Sequence, residues 1–253
     1  MKSSQKTFYK SLKTVAGPLL KAHYRLKVYG RENVPSRGGA LIVSNHRCLA
    51  DPFVLGYSVD RLVNFAAGSF TFKIPVVAQI HTMAGAFPLS IYGGQESDQN
   101  LNHAMELLNN GELVGIFPEG VQSFFNPQRA TRIAPFKTGF IKMALDAKVP
   151  IVPCCVAAGE ERDLPTIPGF MVTPFVKLSD ASEGVTYIDY RKVSCRIGRP
   201  IDLSAYYDEP LTKAVLDRIA DRVRKIIVKL YNGEDLDRFV RGEKPFDFMS
   251  DRI

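Results

Sequence analysis

A histidine, His46, and an aspartate, Asp51, stand five positions apart in the segment from Val43 to Phe53. A carboxylate that bonds one imidazole nitrogen fixes the tautomer of the ring and stabilises its protonated form, so the other nitrogen can take a proton from a hydroxyl. The pair therefore predicts a general base that activates a substrate's own alcohol. Two alternatives stay open: Cys48 is a protein nucleophile, or Asp51 only caps a helix and His46 is a structural loop residue.

The elements around this pair are predicted to hold it at the end of a strand. The apolar, β-branched run from Ala40 to Val43 is typical of a buried strand, and Pro52 suits the first position of a helix. The segment from Glu112 to Ser123 predicts another buried strand, which Pro118 terminates so that Glu119 stands in the following turn. Ligands of open α/β sheets bind at the carboxyl ends of strands, so the two loops are expected to share one pocket.

The motifs together resemble a known enzyme family. Asn45, His46 and Asp51, followed by the segment 117–120 (Phe-Pro-Glu-Gly), are similar to the lysophospholipid and glycerol-phosphate acyltransferases of the bacterial PlsC type. Two further blocks, 85–89 and 149–153, stand in the family's order, and the segment 135–139 resembles the stretch between its third and fourth blocks. The resemblance is specific because four blocks occur in the right order.

This resemblance implies transfer of a fatty acyl group from a thioester on coenzyme A or acyl carrier protein to a lipid hydroxyl. The thioester is a substrate, and no separate cofactor or metal is implied. By the resemblance, His46 is the general base, and Asp51 orients it. The turn residues expected to bind the acceptor are Phe117, Pro118, Glu119 and Gly120. The expected acceptor is 1-acyl-sn-glycerol-3-phosphate, whose acylation gives phosphatidic acid in phospholipid biosynthesis.

The chain departs from the family pattern where the acceptor's phosphate is usually bound. The third block normally continues with threonine and arginine but here reads Val121-Gln122, and Ser90-Ile91 stand where the second block usually ends in an arginine. An arginine fork binds phosphate through paired charge-assisted hydrogen bonds that glutamine and serine do not provide. Gln122 is still expected to line the acceptor site, and the cations predicted to bind the phosphate instead are Arg129, Arg132, Lys137 and Lys73.

Three other functions remain open at this point. The acceptor head group could differ, as in a glycolipid, an amino-acid lipid or another lysolipid. Water could be the acceptor, which would make the protein a thioesterase. The chain could also be a lipid-binding homologue that keeps the fold without the reaction.

Positive charge is concentrated at the start of the chain. Of 253 residues with a net charge of +7, residues 1–30 contain seven basic residues and no acidic one, while the remainder holds 26 of each. An apolar residue recurs every three or four positions there, at Phe8, Leu12, Val15, Leu19, Ala22 and Leu26. The pattern predicts an amphipathic helix, or a helix pair joined at Gly17-Pro18, that lies on an anionic membrane surface. The alternative is a helix packed on its own domain with solvated lysines.

Composition also excludes several classes. No run approaches the roughly 18 to 20 apolar residues of a membrane span, no signal-peptide core follows the first lysines, and the basic residues lack a nucleic-acid-binding motif. We therefore expect a peripheral or monotopic protein at the cytoplasmic face of the membrane, bound through residues 1–26, with no nucleic-acid partner. The cysteines lack metal-ligand spacing and are predicted to be free, mostly buried thiols: Cys48, Cys154, Cys155 and Cys195.

The alternation of apolar runs predicts an α/β fold. Strands are predicted at 40–44, 62–66, 85–89, 113–117, 151–157 and 193–197, and helices at 52–59, 71–83, 95–109, 137–147 and 211–230. Such alternation is typical of a mostly parallel central sheet covered by helices, here preceded by the N-terminal amphipathic element. The predicted organisation is a basic helical element (1–30), an α/β acyltransferase domain (31–231) and a polar C-terminal tail (232–253), with a candidate hairpin within 158–186.

Overall fold

The computed structural model describes residues 3–73, 75–89, 95–120, 133–172 and 186–234. Within these residues a seven-stranded sheet has the order β1-β7-β6-β2-β5-β3-β4. The strands are β1 (Lys27–Tyr29), β2 (Ala40–Ser44), β3 (Val63–Gly68), β4 (Phe87–Leu89), β5 (Leu113–Ile116), β6 (Ile151–Asp163) and β7 (Ile188–Ile197). All neighbours are parallel except β6 and β7. The predicted α/β fold with a mostly parallel sheet is confirmed.

Helices cover both faces of this sheet. They are α1 (Ser3–His23), α2 (Asp51–Ser58), α3 (Pro75–Met83), α4 (Gln95–Asn109), α5 (Gly139–Asp146), α6 (Gly169–Val172) and α7 (Lys213–Asn232). Two buried apolar clusters lie on opposite faces, and the adjacent Cys154 and Cys155 each belong to a different one. This is the geometry of a strand, in which successive side chains point to opposite faces.

The predicted bounds agree best with the structure for strands and helices that their own sequence pattern defines. The strand at 40–44 and the helix at 95–109 have the predicted bounds. The strands predicted at 151–157 and 193–197 are longer, because β6 and β7 continue as an antiparallel pair as far as Asp163 and Ile188, with register shifts near Glu160. The candidate hairpin within 158–186 stays a prediction, because residues 173–185 lie outside the described residues; Gly169–Val172 form a helix. The tail beyond residue 234 also lies outside them.

The helix α1 has one face on the domain and another in solvent. It continues through Pro18 as a single helix. Tyr9 Oη donates a 2.6 Å hydrogen bond to Gly56 O, and the ring of Tyr57 lies against Gly17. On the other side Val15 and Leu19 are 72% and 70% exposed.

The predicted apolar stripe therefore includes residues that face solvent. Leu26 lies beyond the end of α1 and is buried in the core, and β1 pairs with β7, so the start of the chain is integrated with the sheet. The division of the chain at residue 30 stays a prediction. Among the described residues no helix has the length and apolar character to cross a membrane.

Candidate active site

The sheet places the two predicted loops side by side. The strand β2 lies between β5 and β6, with Val43 opposite Ile116 and Ser44 opposite Cys154. Since β2 and β5 are parallel and in register, the residues that follow each of them emerge at the same edge of the sheet. The loop that carries His46 therefore meets the turn that begins at Phe117.

Asn45 fixes the backbone at the point where β2 ends. Its side-chain Nδ2 donates to Val156 O at 3.0 Å, and its Oδ1 accepts from Val156 N at 2.9 Å. A buried amide side chain with both ends paired to one backbone residue holds the chain against β6. The loop with His46 thus starts from a defined position.

His46 and Asp51 form the predicted pair. His46 Nδ1 lies 2.9 Å from Asp51 Oδ2, the aspartate side chain is fully buried, and the imidazole is 19% exposed. The same Oδ2 accepts the backbone N–H groups of Arg47 (2.6 Å) and Cys48 (2.8 Å). The helix α2 begins at Asp51 itself and has Ala50 as its N-cap, without a side-chain cap. The alternative in which Asp51 only caps the helix is therefore wrong, since its carboxylate turns back into the loop and toward the imidazole.

The second carboxylate oxygen of Asp51 is bonded by a tyrosine that the sequence did not suggest. Tyr190 Oη donates to Asp51 Oδ1 at 2.7 Å across a separation of 139 residues. Tyr190 lies on β7 and is buried; burial, followed by the charge of Asp51, raises the pKa of its phenol well above the ordinary value. The hydroxyl therefore stays protonated and donates. No local motif marks this tyrosine in the sequence. Its position at the site depends on the pairing of β7 with β6.

Aromatic packing holds the imidazole from the other side. The rings of His46 and Phe117 are stacked with centroids 4.2 Å apart, and the rings of Phe65 and Phe117 lie 5.8 Å apart. Gly115 leaves room for this stack, since a Cβ there would lie 2.5 Å from the Phe65 ring. The contact places Phe117 at the predicted site, while its role toward the acceptor stays a prediction.

Glu119 ties the loops together through backbone amides. Its Oε1 accepts from His46 N at 2.8 Å, and its Oε2 accepts from Ala134 N at 2.8 Å. Burial raises the pKa of the Glu119 carboxyl, and the hydrogen bonds from His46 and Ala134 oppose that rise. Glu119 is 8% exposed, and the contacts of its carboxylate position the His46 loop. Its predicted contact with the acceptor stays a prediction.

The rest of the turn brings one predicted cation to the site. Pro118 O accepts from Lys137 N at 3.0 Å, and Gly120 has a φ of 80°, which glycine adopts freely. The ammonium of Lys137 lies over Gly120, because a Cβ on that glycine would be 3.2 Å from Nζ. Gln122, Arg129 and Arg132 lie outside the described residues, as do Ser90-Ile91.

Cys48 does not fit the role of a nucleophile. Its Sγ donates to Ile188 O at 3.2 Å and accepts from Ala50 N at 3.3 Å. Burial and the nearby charge of Asp51 raise the pKa of Cys48 to about 12, so the thiolate that such a reaction needs is not populated near neutral pH. All four cysteines are free and buried, which confirms the prediction for them. Arg47, next to the histidine, is held by Glu161 in a two-point ion pair with contacts of 2.7 and 3.0 Å.

The fold and these contacts define a class of protein: an α/β protein with a histidine–aspartate pair at the end of a central strand and a Pro-Glu-Gly turn on the next. The chain belongs to the acyltransferase family, because the family model described as Acyltransferase matches residues 25–157. The solved structure of the 1-acyl-sn-glycerophosphate acyltransferase PlsC of Thermotoga maritima has the same fold as this chain. The TM-score is 0.59 at 21% identity, with 89% of this chain and 80% of that chain covered.

Sequence relatives extend the similarity beyond that core. An uncharacterized protein of Mycobacterium leprae is 28% identical over 241 residues, which is 84% of this chain and 62% of that protein. An uncharacterized protein of Mycobacterium tuberculosis is 27% identical over 251 residues, or 87% of this chain and 66% of that protein. The chloroplastic 1-acyl-sn-glycerol-3-phosphate acyltransferase of Brassica napus is 32% identical over 144 residues, 56% of this chain and 40% of the relative. The chain thus spans less than two thirds of the length of these relatives.

Proposed function

We propose that the protein transfers a fatty acyl group from a thioester, on coenzyme A or acyl carrier protein, to the hydroxyl of a lysophospholipid. The proposed acceptor is 1-acyl-sn-glycerol-3-phosphate, and the product is phosphatidic acid. The observation that carries the proposal is the 2.9 Å contact between His46 Nδ1 and Asp51 Oδ2. With Nδ1 protonated and donating to the carboxylate, the basic nitrogen of the imidazole is Nε2.

The chemistry follows from this geometry. His46 Nε2 takes the proton of the acceptor hydroxyl while the oxygen attacks the carbonyl carbon of the thioester. A carbon–oxygen bond forms, and the tetrahedral intermediate then collapses by breaking the carbon–sulfur bond. The departing thiolate takes the proton from the imidazolium, so the products are an ester and a thiol. Asp51 stabilises the imidazolium between these steps, as an orienting carboxylate does in a catalytic triad.

Binding of the acceptor's phosphate is assigned to cations near the turn. Lys137 supports this proposal because its ammonium lies over Gly120, in the turn whose Glu119 accepts from His46 N. In the proposal Arg129 and Arg132 supply further charge and Gln122 lines the same site. The name of the Brassica napus relative fits this acceptor. Because Val121-Gln122 replace the usual Thr-Arg, an acceptor with another head group is the second candidate.

The proposed location is the cytoplasmic face of a membrane, with the exposed side of α1, within residues 1–26, in contact with the lipid surface. Val15 and Leu19 support this, since both lie on α1 and project into solvent. The seven basic residues of the segment 1–30, with no acidic residue, add attraction to anionic lipid. A lipid acceptor would then reach His46 without leaving the membrane surface.

An acceptor screen tests the proposal. Purified protein receives acyl-coenzyme A or acyl carrier protein together with lysophosphatidate, other lysolipids or monoacylglycerol, and mass spectrometry identifies the products. Phosphatidic acid is expected from the wild type, and His46→Ala is expected to lower its rate by about two to four orders of magnitude. The control is His103→Ala, because the His103 side chain is 51% exposed on α4.

Three results would contradict parts of the proposal. Turnover of an uncharged acceptor without turnover of lysophosphatidate rejects the acceptor. Thiol release that no lysolipid increases indicates a thioesterase. Near wild-type acyl transfer by His46→Ala rejects the histidine as the base.

A further inference from the structure

A cavity lies near the carboxyl end of α1. Its volume is about 250 Å³. It is lined by residues from the end of α1, from β6 and from β7: His23, Arg25, Glu160, Arg162, Tyr190 and Arg191. Neither His46 nor any residue of the Phe117 to Gly120 turn lines it, so it is separate from the acceptor site proposed above.

The lining carries an excess of positive charge. Three guanidinium groups face one carboxylate, that of Glu160. Arg162 is held in place by Asp189, with contacts of 3.0 Å from Nε and 2.5 Å from Nη2. Within the parts of the chain that the structure describes, Arg25 and Arg191 form no ion pair or side-chain hydrogen bond. Like charges brought to one cavity repel each other, and a bound anion removes that repulsion.

The backbone places Arg25 at this cavity in an unusual conformation. Arg25 has a φ of 44°, its N–H donates to Ala22 O at 3.2 Å, and Leu26 N donates to Lys21 O at 2.9 Å. These two bonds are the Schellman closure of a helix, at whose left-handed position glycine is strongly preferred. Attraction of a cation to the carbonyl end of α1 explains a basic residue at this point. It does not explain why Arg162 and Arg191 converge there from two strands.

We propose that this cavity binds a phosphate group and that the group belongs to the head group of an anionic phospholipid. Guanidinium groups suit phosphate because their planar N–H donors match pairs of phosphate oxygens. The lipid source rests on the proposed membrane association of α1, whose exposed Val15 and Leu19 lie on the helix that leads into the cavity.

The bound lipid is not the reacting acceptor. His46 bonds Asp51 Oδ2, Tyr190 bonds Asp51 Oδ1, and Tyr190 also lines the cavity. The cavity is therefore linked to the Nδ1 side of the imidazole, whereas the proposed acceptor hydroxyl meets Nε2. The phosphate binds as an anchor beside the site.

Two charge-matched variants of the whole chain test this proposal. The cavity variant combines Arg25→Gly with Arg191→Gln, and the control combines Arg37→Gln with Arg199→Gln, two exposed arginines outside the cavity. Glycine suits the backbone at position 25, so the thermal midpoint of the cavity variant is expected to be at least that of the control. The probes are inorganic phosphate at constant ionic strength, and vesicles of phosphatidylcholine alone or mixed with phosphatidylglycerol.

The expected result is a loss confined to the cavity variant. Phosphate should raise the thermal midpoint of the wild type and the control but not of the cavity variant. Affinity for phosphatidylglycerol vesicles should fall about tenfold more in the cavity variant than in the control, the loss of one charge-assisted contact. Equal behaviour of the two variants with both probes overturns the proposal. Loss of the phosphate effect with equal vesicle binding overturns the lipid source and assigns the cavity to a soluble phosphate compound. Acyl transfer is not a readout, so an inactive wild type would count against the proposed reaction and leave this result unchanged.

Discussion

The carboxylate of Asp51 is shared between two side chains, with Tyr190 Oη 2.7 Å from Oδ1 and His46 Nδ1 2.9 Å from Oδ2. Backbone amides of Arg47 and Cys48 complete the contacts of Oδ2. The Asp51 side chain is fully buried. Among the described residues, Tyr190 is the hydrogen-bond donor to its Oδ1. The tyrosine therefore both orients the carboxylate and draws part of its charge away from the imidazole.

Tyr190→Phe is expected to slow acyl transfer. Without the phenol, Oδ1 of Asp51 loses its donor, so the carboxylate that orients His46 is held less firmly. The lost hydrogen bond should lower kcat about tenfold with the KM for the acceptor nearly unchanged. Both are measured as initial rates with saturating acyl donor.

The matched control for this variant is Tyr24→Phe. The Tyr24 ring packs against Tyr190 with centroids 6.3 Å apart, and its hydroxyl does not bond Asp51. Tyr24→Phe should leave kcat near the wild-type value. If Tyr190→Phe changes only stability and leaves kcat in place, the tyrosine is a packing residue.

Glu119 gives a prediction for stability against pH. Burial raises its carboxyl pKa above the ordinary value of 4.5. In the window from pH 4.5 up to the raised pKa, the folded state keeps a proton that the unfolded state has lost. Stability from this group is therefore fully present below pH 4.5 and falls as pH rises through the window. The difference in free energy of unfolding between wild type and Glu119→Gln should shrink over that range, as urea titrations would show.

Glu119→Gln cannot ionise, so it removes the part of the pH dependence that this carboxyl contributes. Glu209→Gln, at an exposed position, serves as the control that keeps it. A difference that grows with pH through the window would contradict the assigned direction.

The contact between His46 and Asp51 was predictable from their spacing in the sequence, and the approach of Phe117 to this pair was predictable from the sheet topology. His46 and Asp51 belong to one loop, so their contact needs only the turn between them. The meeting of that loop with Phe117 follows from two parallel, neighbouring strands. Tyr190 could not be found in this way, because its contact depends on the antiparallel extension of β6 and β7, and the sequence pattern predicted only residues 193–197 of that strand.

The orientation of α1 shows a similar limit. Apolar periodicity marks a stripe but does not say which side of the helix meets the domain. The packing face is instead marked by Gly17, where a Cβ would lie 2.4 Å from the Tyr57 ring. A missing side chain leaves no apolar signal in the sequence, so hydrophobic periodicity alone could not indicate this face.

Lys137 gives a prediction about the acceptor. Lys137→Gln should raise KM for lysophosphatidate about tenfold with kcat nearly unchanged, because loss of a distant phosphate contact weakens substrate and transition state equally. Monoacylglycerol, which has no phosphate, should show no such change. Lys142→Gln on the exposed side of α5 is the control. An unchanged KM for lysophosphatidate would remove Lys137 from the phosphate site.

The exposed side of α1 gives a prediction about the membrane. Deletion of the helix is a poor test, because Tyr9 bonds Gly56 and Tyr57 packs on Gly17, so its loss would expose the domain. Val15→Ser with Leu19→Ser removes only side chains that face solvent.

Flotation with anionic vesicles measures the effect of this double substitution. Burying such a side chain contributes about 1.5 to 3 kcal/mol, so vesicle affinity should fall by about tenfold or more while the thermal midpoint stays near the wild-type value. The control, Ile167→Ser with Leu211→Ser, removes two exposed apolar side chains elsewhere, which are 36% and 38% exposed. Equal binding by the α1 variant and the control would mean that the exposed side of α1 does not enter the lipid surface. Membrane attraction would then come from the basic residues alone.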